Sequence, residues 1–268
     1  MSSIKQEVEE PLPWHLGVFD AHCHPTDTVA SLGDIAHMKT KTLTIMATRQ
    51  QDQGLVAKFA DVFGLIDAQD RGGRVVPAFG HRTPKKILTA QLNLAGDLQR
   101  AASVHGVAAH GLLYETLAQT WRGHEQVIVS KRERRRRPDF EAYEDTNPSN
   151  VTQRDMSKPW PPRLCLHSYS GSADTIRHYL HPSVPVVVFF SFSNLVNFAS
   201  QSKKAVDAIK AVPDDRILAE SDFHCAGKRM DHLMEDIVRS ICRIRCWSLS
   251  HGVEQLASNW RRFVFGFE

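Results

Sequence analysis

Seven short β-type runs separated by helix-length amphipathic stretches constrain this chain more than any other feature. The runs cover residues 17–24, 42–48, 74–80, 102–107, 163–168, 184–192 and 216–222. Strands alternating with helices read as repeated βα units and therefore as a parallel sheet covered on both faces. The segment Val184-Pro185-Val186-Val187-Val188-Phe189-Phe190 is nearly all apolar, as a strand buried on both faces must be. A length of 268 residues suits a (β/α)8 barrel, which typically takes about 250. The expected fold is thus α/β, a TIM-type (β/α) barrel with seven recognisable strands, one βα unit short of eight.

The helical stretches carry their own pattern. Residues 84–103 repeat Ile87, Leu94, Leu98 and Ala101 at helical spacing, which predicts that this stripe faces the core. Residues 230–246 repeat Met230, Leu233, Ile237, Ile241 and Ile244, and residues 253–264 place Leu256, Ala257, Trp260 and Phe263 on one side. Residues 1–13, with Glu7, Glu9 and Glu10, read as a disordered leader, and 14–268 as a single domain. Residues at about 130–162 read as an inserted surface loop, rich in polar residues and prolines.

Net charge is a mild +3, so only local clustering can argue for nucleic acid. The one cluster is Lys131-Arg132-Glu133-Arg134-Arg135-Arg136-Arg137. Arg134, Arg135, Arg136 and Arg137 could contact phosphates or serve nuclear import, or simply be a solvated loop. Five irregularly spaced cysteines give no disulfide framework and favour a reducing compartment. With no long apolar span and an acidic start, a cytoplasmic or nuclear location is expected.

The segment Phe19-Asp20-Ala21-His22-Cys23-His24-Pro25 carries the clearest chemistry. Side chains alternate along a strand, so His22 and His24 share a face while Cys23 points away. Two imidazoles roughly 7 Å apart can converge on one divalent ion. Their place at a strand's C-terminal end is the catalytic face of a barrel. His105, His167 and Asp222 close three further strands in the same way. Each taken singly could be a packed histidine or, for Asp222, a helix cap. Together they can hold one or two divalent ions, with Asp222 able both to ligate and to take a proton from water.

These motifs resemble those of the TatD-like metal-dependent deoxyribonucleases of the amidohydrolase-like superfamily. The carrying segments are Asp-Ala-His-Cys-His-Pro, Ser-Val-His-Gly (103–106), Leu-His-Ser-Tyr-Ser-Gly-Ser (166–172), Pro-Asp-Asp-Arg-Ile-Leu-Ala-Glu-Ser-Asp (213–222) and Asn-Trp-Arg-Arg-Phe (259–263). Segments 90–96 and 111–117 look like a fungal-type branch described as interacting with a TPR subunit of the anaphase-promoting complex. The resemblance implies a metal-dependent hydrolase barrel acting on phosphodiester bonds in DNA. It implies that His22 and His24 bind a first ion and that His105 and His167 complete a second site. Asp222 would be a ligand that also activates water. Zn, Mg or Mn would serve as cofactor. Two other readings are an impaired barrel retained as partner of a TPR-containing assembly, and an amidohydrolase of small molecules.

One departure is specific. The family carries a further βα unit after its third strand, whose Gly-Glu-x-Gly-Leu-Asp motif supplies the glutamate bridging two metals. Here Phe79-Gly80-His81-Arg82-Thr83-Pro84 runs almost directly into a helix. Losing that carboxylate favours one ion over two, and Glu115, the next candidate, lies in a helical pattern that should face away.

Overall fold

A computed structural model of the chain describes residues 10–64, 73–79, 85–106, 110–126, 158–199 and 203–266. All seven expected strands form: β1 (Phe19–Cys23), β2 (Thr42–Ala47), β3 (Val75–Phe79), β4 (Ala102–Val104), β5 (Arg163–Leu166), β6 (Val187–Ser193) and β7 (Ile217–Glu220). Every ladder is parallel, in the orders β1-β2-β3 and β4-β5-β6-β7. Backbone bonds just past the strand ends link the two groups. The Asp222 amide donates to the His22 carbonyl at 3.0 Å, and the His24 amide to that of Phe223 at 2.8 Å. Asp20 adds to this seam, since its carboxylate accepts from the Ser221 amide at 3.0 Å and from the Ser221 hydroxyl at 2.5 Å. The strand order therefore runs β4-β5-β6-β7-β1-β2-β3, a TIM-type α/β arrangement. Among the described residues no ladder joins β3 to β4, the place where the expected eighth unit is missing.

The helices are α1 (Gln50–Phe63), α2 (Lys85–Asp97), α3 (His110–Thr120), α4 (Ala173–Tyr179), α5 (Asn194–Asn197), α6 (Lys203–Ala211), α7 (Lys228–Arg245) and α8 (Leu249–Phe265). Helix α8 follows its sequence pattern, with Leu256, Ala257, Trp260 and Phe263 buried. Trp260 stacks on Phe19 with ring centroids 4.6 Å apart, and Phe263 meets Phe189. With Ala21, Cys165 and Leu218 these rings fill the interior between the strands. Asn259 anchors the helix by donating to the carbonyls of Asp214 and Ile217. In α7, Met230, Ile237 and Ile241 are fully buried as expected.

Two expectations are corrected. Along α2 and just past it, Ile87, Leu94 and Leu98 of the expected stripe face solvent while Ala101 packs against the core, and within α2 Leu88, Leu92 and Gly96 face the protein instead. The reason is the close approach of Lys158–Trp160. A Cβ on Gly96 would sit 2.0 Å from the Lys158 carbonyl oxygen, so only glycine allows that segment to lie on the helix. The strand expected from Val184 begins at Val187, after Pro185, which has no amide to give a ladder. Residues 1–9 of the expected leader and the basic run 131–137 lie outside the described residues, while Leu12 is buried in the core.

Candidate metal centre

The strands deliver their polar ends to one side of the molecule. His22 is near the end of β1, His24 directly follows that strand, and His105 and His167 directly follow β4 and β5. Asp222 lies two residues beyond β7. The register of β1 decides how the first pair is presented. Phe19 and Asp20 pair with Thr42 and Leu43, but Cys23 pairs with Ile45, so β1 carries one extra residue between Asp20 and Cys23. This bulge changes the facing of the chain: Phe19 and Ala21 point to the interior, yet Cys23 packs outward beside Leu32 and Ile35. Bulges of this kind re-aim side chains next to functional sites.

All five residues singled out in the sequence come together. The Nε2 atoms of His22 and His24 lie 3.2 Å apart, and His24 Nε2 lies 3.4 Å from Asp222 Oδ1. The rings of His22 and His167 stack at 3.7 Å, and His105 Nδ1 lies 3.4 Å from His167 Nδ1. Two sets of donors have one ligand atom each within 4.8 Å of all the others: His22, His24 and Asp222, and His167, Glu220 and Asp222. His105 reaches His167 but joins neither set, and Glu115 is exposed on α3 as expected.

Sequence reasoning missed Glu220. Its side chain is fully buried, and it accepts from the Ser168 amide at 2.7 Å, the Ser168 hydroxyl at 2.5 Å and the Ser191 hydroxyl. Its Oε1 lies 3.9 Å from His167 Nδ1. The available signal was parity, since Glu220 and Asp222 are two apart as His22 and His24 are.

The electrostatics suit a cation. Burial holds His22 well below the usual imidazole range, and the neighbouring His167, His24 and His105 add to this, so its ring is neutral and free to ligate. Burial works against a charged His24, but bonds to Asp222 and to the Met46 carbonyl outweigh it and raise this ring. Burial likewise opposes ionisation of Asp222, yet its His24 bond and the charge of His167 leave it below its ordinary value. Asp20 is pushed up to about 7 by burial, against its bonds from Ser221 and the His22 amide. Ser168 and Asp222 both take left-handed backbone conformations, with φ 42° and 52°. The Ser168 hydroxyl lies 3.0 Å from Asp222 Oδ2, a link that helps hold these two strand ends in place.

Imidazoles converging with carboxylates at strand ends, a neutral His22 and a lowered Asp222 among them, are a donor set that can hold a divalent ion. The family model for TatD related DNase matches residues 80–265. The chain belongs to the TatD family. The match begins after β3, so it includes His105, His167 and Asp222 but neither His22 nor His24. TatD-family hydrolases are metal-dependent, and the two donor sets are candidates for that role here.

A curated relative, Cut9-interacting protein scn1 of Schizosaccharomyces pombe, is 35% identical over 179 residues, covering 67% of this chain and 50% of that protein. The chain thus spans about half the length of the curated relative it matches. Among solved structures, a TatD family hydrolase of Entamoeba histolytica superposes with a TM-score of 0.51 at 12% identity, over 93% of this chain and 98% of its own. The TatD homologue YJJV of Escherichia coli gives 0.50 at 17% identity, over 93% and 98% respectively. These likenesses speak for the fold.

Proposed function

We propose that this TatD-family hydrolase cleaves phosphodiester bonds in DNA with water activated at a divalent ion held by His22, His24 and Asp222. The observation that carries the reading is the convergence of those three side chains within 4.8 Å on the C-terminal side of the strands. A bound Zn, Mg or Mn ion would supply acidification of water towards about pKa 7 and polarisation of the phosphate.

The chain's own groups do the rest. His24 Nδ1 lies 3.1 Å from the Met46 carbonyl. A proton on Nδ1 donated there leaves the Nε2 lone pair facing His22 and Asp222, the tautomer a ligand needs. In this reading Asp222, held as a carboxylate and bonded by Ser168, accepts the proton of the attacking water. His105 and His167 line the adjoining part of the site. Arg134, Arg135, Arg136 and Arg137 are assigned to non-specific phosphate contacts on sequence grounds alone.

The test is cleavage of single- and double-stranded DNA by purified protein supplied separately with Mg, Mn and Zn. The expected outcome is hydrolysis that disappears with chelator and in the double variant His22→Ala, His24→Ala. Cleavage that persists unchanged in the double variant would remove these residues from the site.

A second reading is favoured by the name of the Schizosaccharomyces pombe relative, which describes it as interacting with Cut9. On that reading the chain is a catalytically impaired barrel that binds a TPR-containing cell-cycle assembly. Protein that takes up no metal and cuts no DNA, yet binds such a partner, would decide for it.

A further inference from the structure

The family's bridging glutamate has no counterpart here, yet the second donor set is not short of carboxylates. Glu220 and Asp222 converge with His167, and Glu220 is wholly withdrawn from solvent. Among the described residues neither carboxylate meets a lysine or arginine. The ion-pair partners of Glu220 and Asp222 are His167 at 3.9 Å and His24 at 3.4 Å. The Ser168 hydroxyl has one proton but faces both carboxylates, at 2.5 Å from Glu220 Oε1 and 3.0 Å from Asp222 Oδ2. That single proton can be donated to only one of them at a time. One ligand atom each of His167, Glu220 and Asp222 lies within 4.8 Å of the other two, a spacing that one divalent ion can span.

We infer that Glu220 supplies a carboxylate in place of the lost one, so that His167 and Glu220, with Asp222 shared between the two sets, hold a second divalent ion. The inference rests on the metal-dependent reading above and extends it to a position that the family resemblance does not assign. Its chemistry is that of an oxygen-rich site with one imidazole, which suits Mn and Mg as well as Zn. Ser191 and Ser168 then act as positioning residues, since both donate to Glu220 and fix where its oxygens point.

The experiment is metal binding to the full chain, using Mn alone as the probe. Bound Mn is counted after gel filtration, and electron paramagnetic resonance reports whether two ions are close enough to couple. Wild-type protein is expected to hold two ions with a coupled spectrum. Glu220→Gln, which keeps the shape of the side chain, is expected to hold one ion, uncoupled, with at least tenfold weaker binding of the second. His167→Ala, at the other end of the set, is expected to do the same and stands in if Glu220→Gln does not fold by circular dichroism. His24→Ala is expected to lose the first ion. One ion in the wild type, or two coupled ions in both Glu220→Gln and His167→Ala, would overturn the inference while the first site stands. No ion in any variant or in the wild type would overturn the metal-dependent reading and this inference with it.

Discussion

At the residue scale, a few buried carboxylates organise loops that the helices and strands alone leave unfixed. Asp231, near the start of α7, is buried and accepts from the Lys39 amide at 2.8 Å, the Thr40 amide at 2.8 Å and the Thr40 hydroxyl at 2.7 Å. It thereby pins the turn that leads into β2, although the two lie more than 190 positions apart in the chain. Replacing it with alanine strands three donors next to a small void. Asp231→Ala should destabilise the protein by about 2–4 kcal/mol, and Asp231→Asn by less because one acceptor survives. Urea unfolding of both variants would check this, and a loss under about 1 kcal/mol for alanine would mean that water rescues the donors. Glu220 belongs to the same class of buried acceptor, and that is why sequence reading passed it over. Flanked by Ala219 and Ser221, it carries no local mark of its partners, which come from β6 and from the residues after β5.

At the element scale, close backbone approach decides which helix faces turn inward. Gly252 in α8 lies against α7, where a Cβ would fall 2.2 Å from the Cys242 sulfur. Burial of that thiol raises it to about 11, so it stays uncharged in the interface. Gly252→Ala gains about 1 kcal/mol of helix propensity but overpacks a buried contact, typically at about 1–3 kcal/mol. The expected net result is a loss of about 1 kcal/mol, read as a lower thermal midpoint. In a Cys242→Ala background the nearest remaining atom on that residue is its Cβ, at 3.7 Å, so the same substitution should become neutral or stabilising. A loss of equal size in both backgrounds would place the strain elsewhere. Helix α2 shows the same principle, since Gly96 beneath Lys158–Trp160 outweighs a regular apolar stripe of three exposed residues.

At the scale of the whole molecule, seven parallel strands run in one continuous order, and the site collects at the side where their C-terminal ends meet. Because β7 lies beside β1, residues 22–24 and 220–222 become neighbours and the first donor set can form. If DNA is the substrate, as proposed, its attraction depends on charge across the chain rather than on this set. A net charge of +3 is too small to draw in DNA by itself, so the arginines at 134–137 should matter in proportion to salt. Deleting Arg134–Arg137 is expected to reduce the slope of log affinity against log salt by about 3–4 if all four meet phosphate. Fluorescence anisotropy with a labelled duplex would measure it, and an unchanged slope would return the run to a solvated loop.

The sequence by itself determined the parallel α/β architecture, because apolar runs long enough for strands alternate with helix-period stretches and allow no other burial. It also determined which histidines and which aspartate end those strands, since His22, His24, His105, His167 and Asp222 all occupy that place. What only the tertiary structure decided are the features set by register and approach. The bulge in β1 lets Phe19 and Ala21 face inward while the histidines still reach the site, and nothing local in Phe19–Cys23 marks the extra residue. The facing of α2 depends on a segment more than 60 residues away. The second donor set depends on Glu220 being drawn under Ser168 and Ser191 by strands that the chain reaches only after long crossovers. Periodicity records which residues avoid water; it carries no information about which partner they meet when they do.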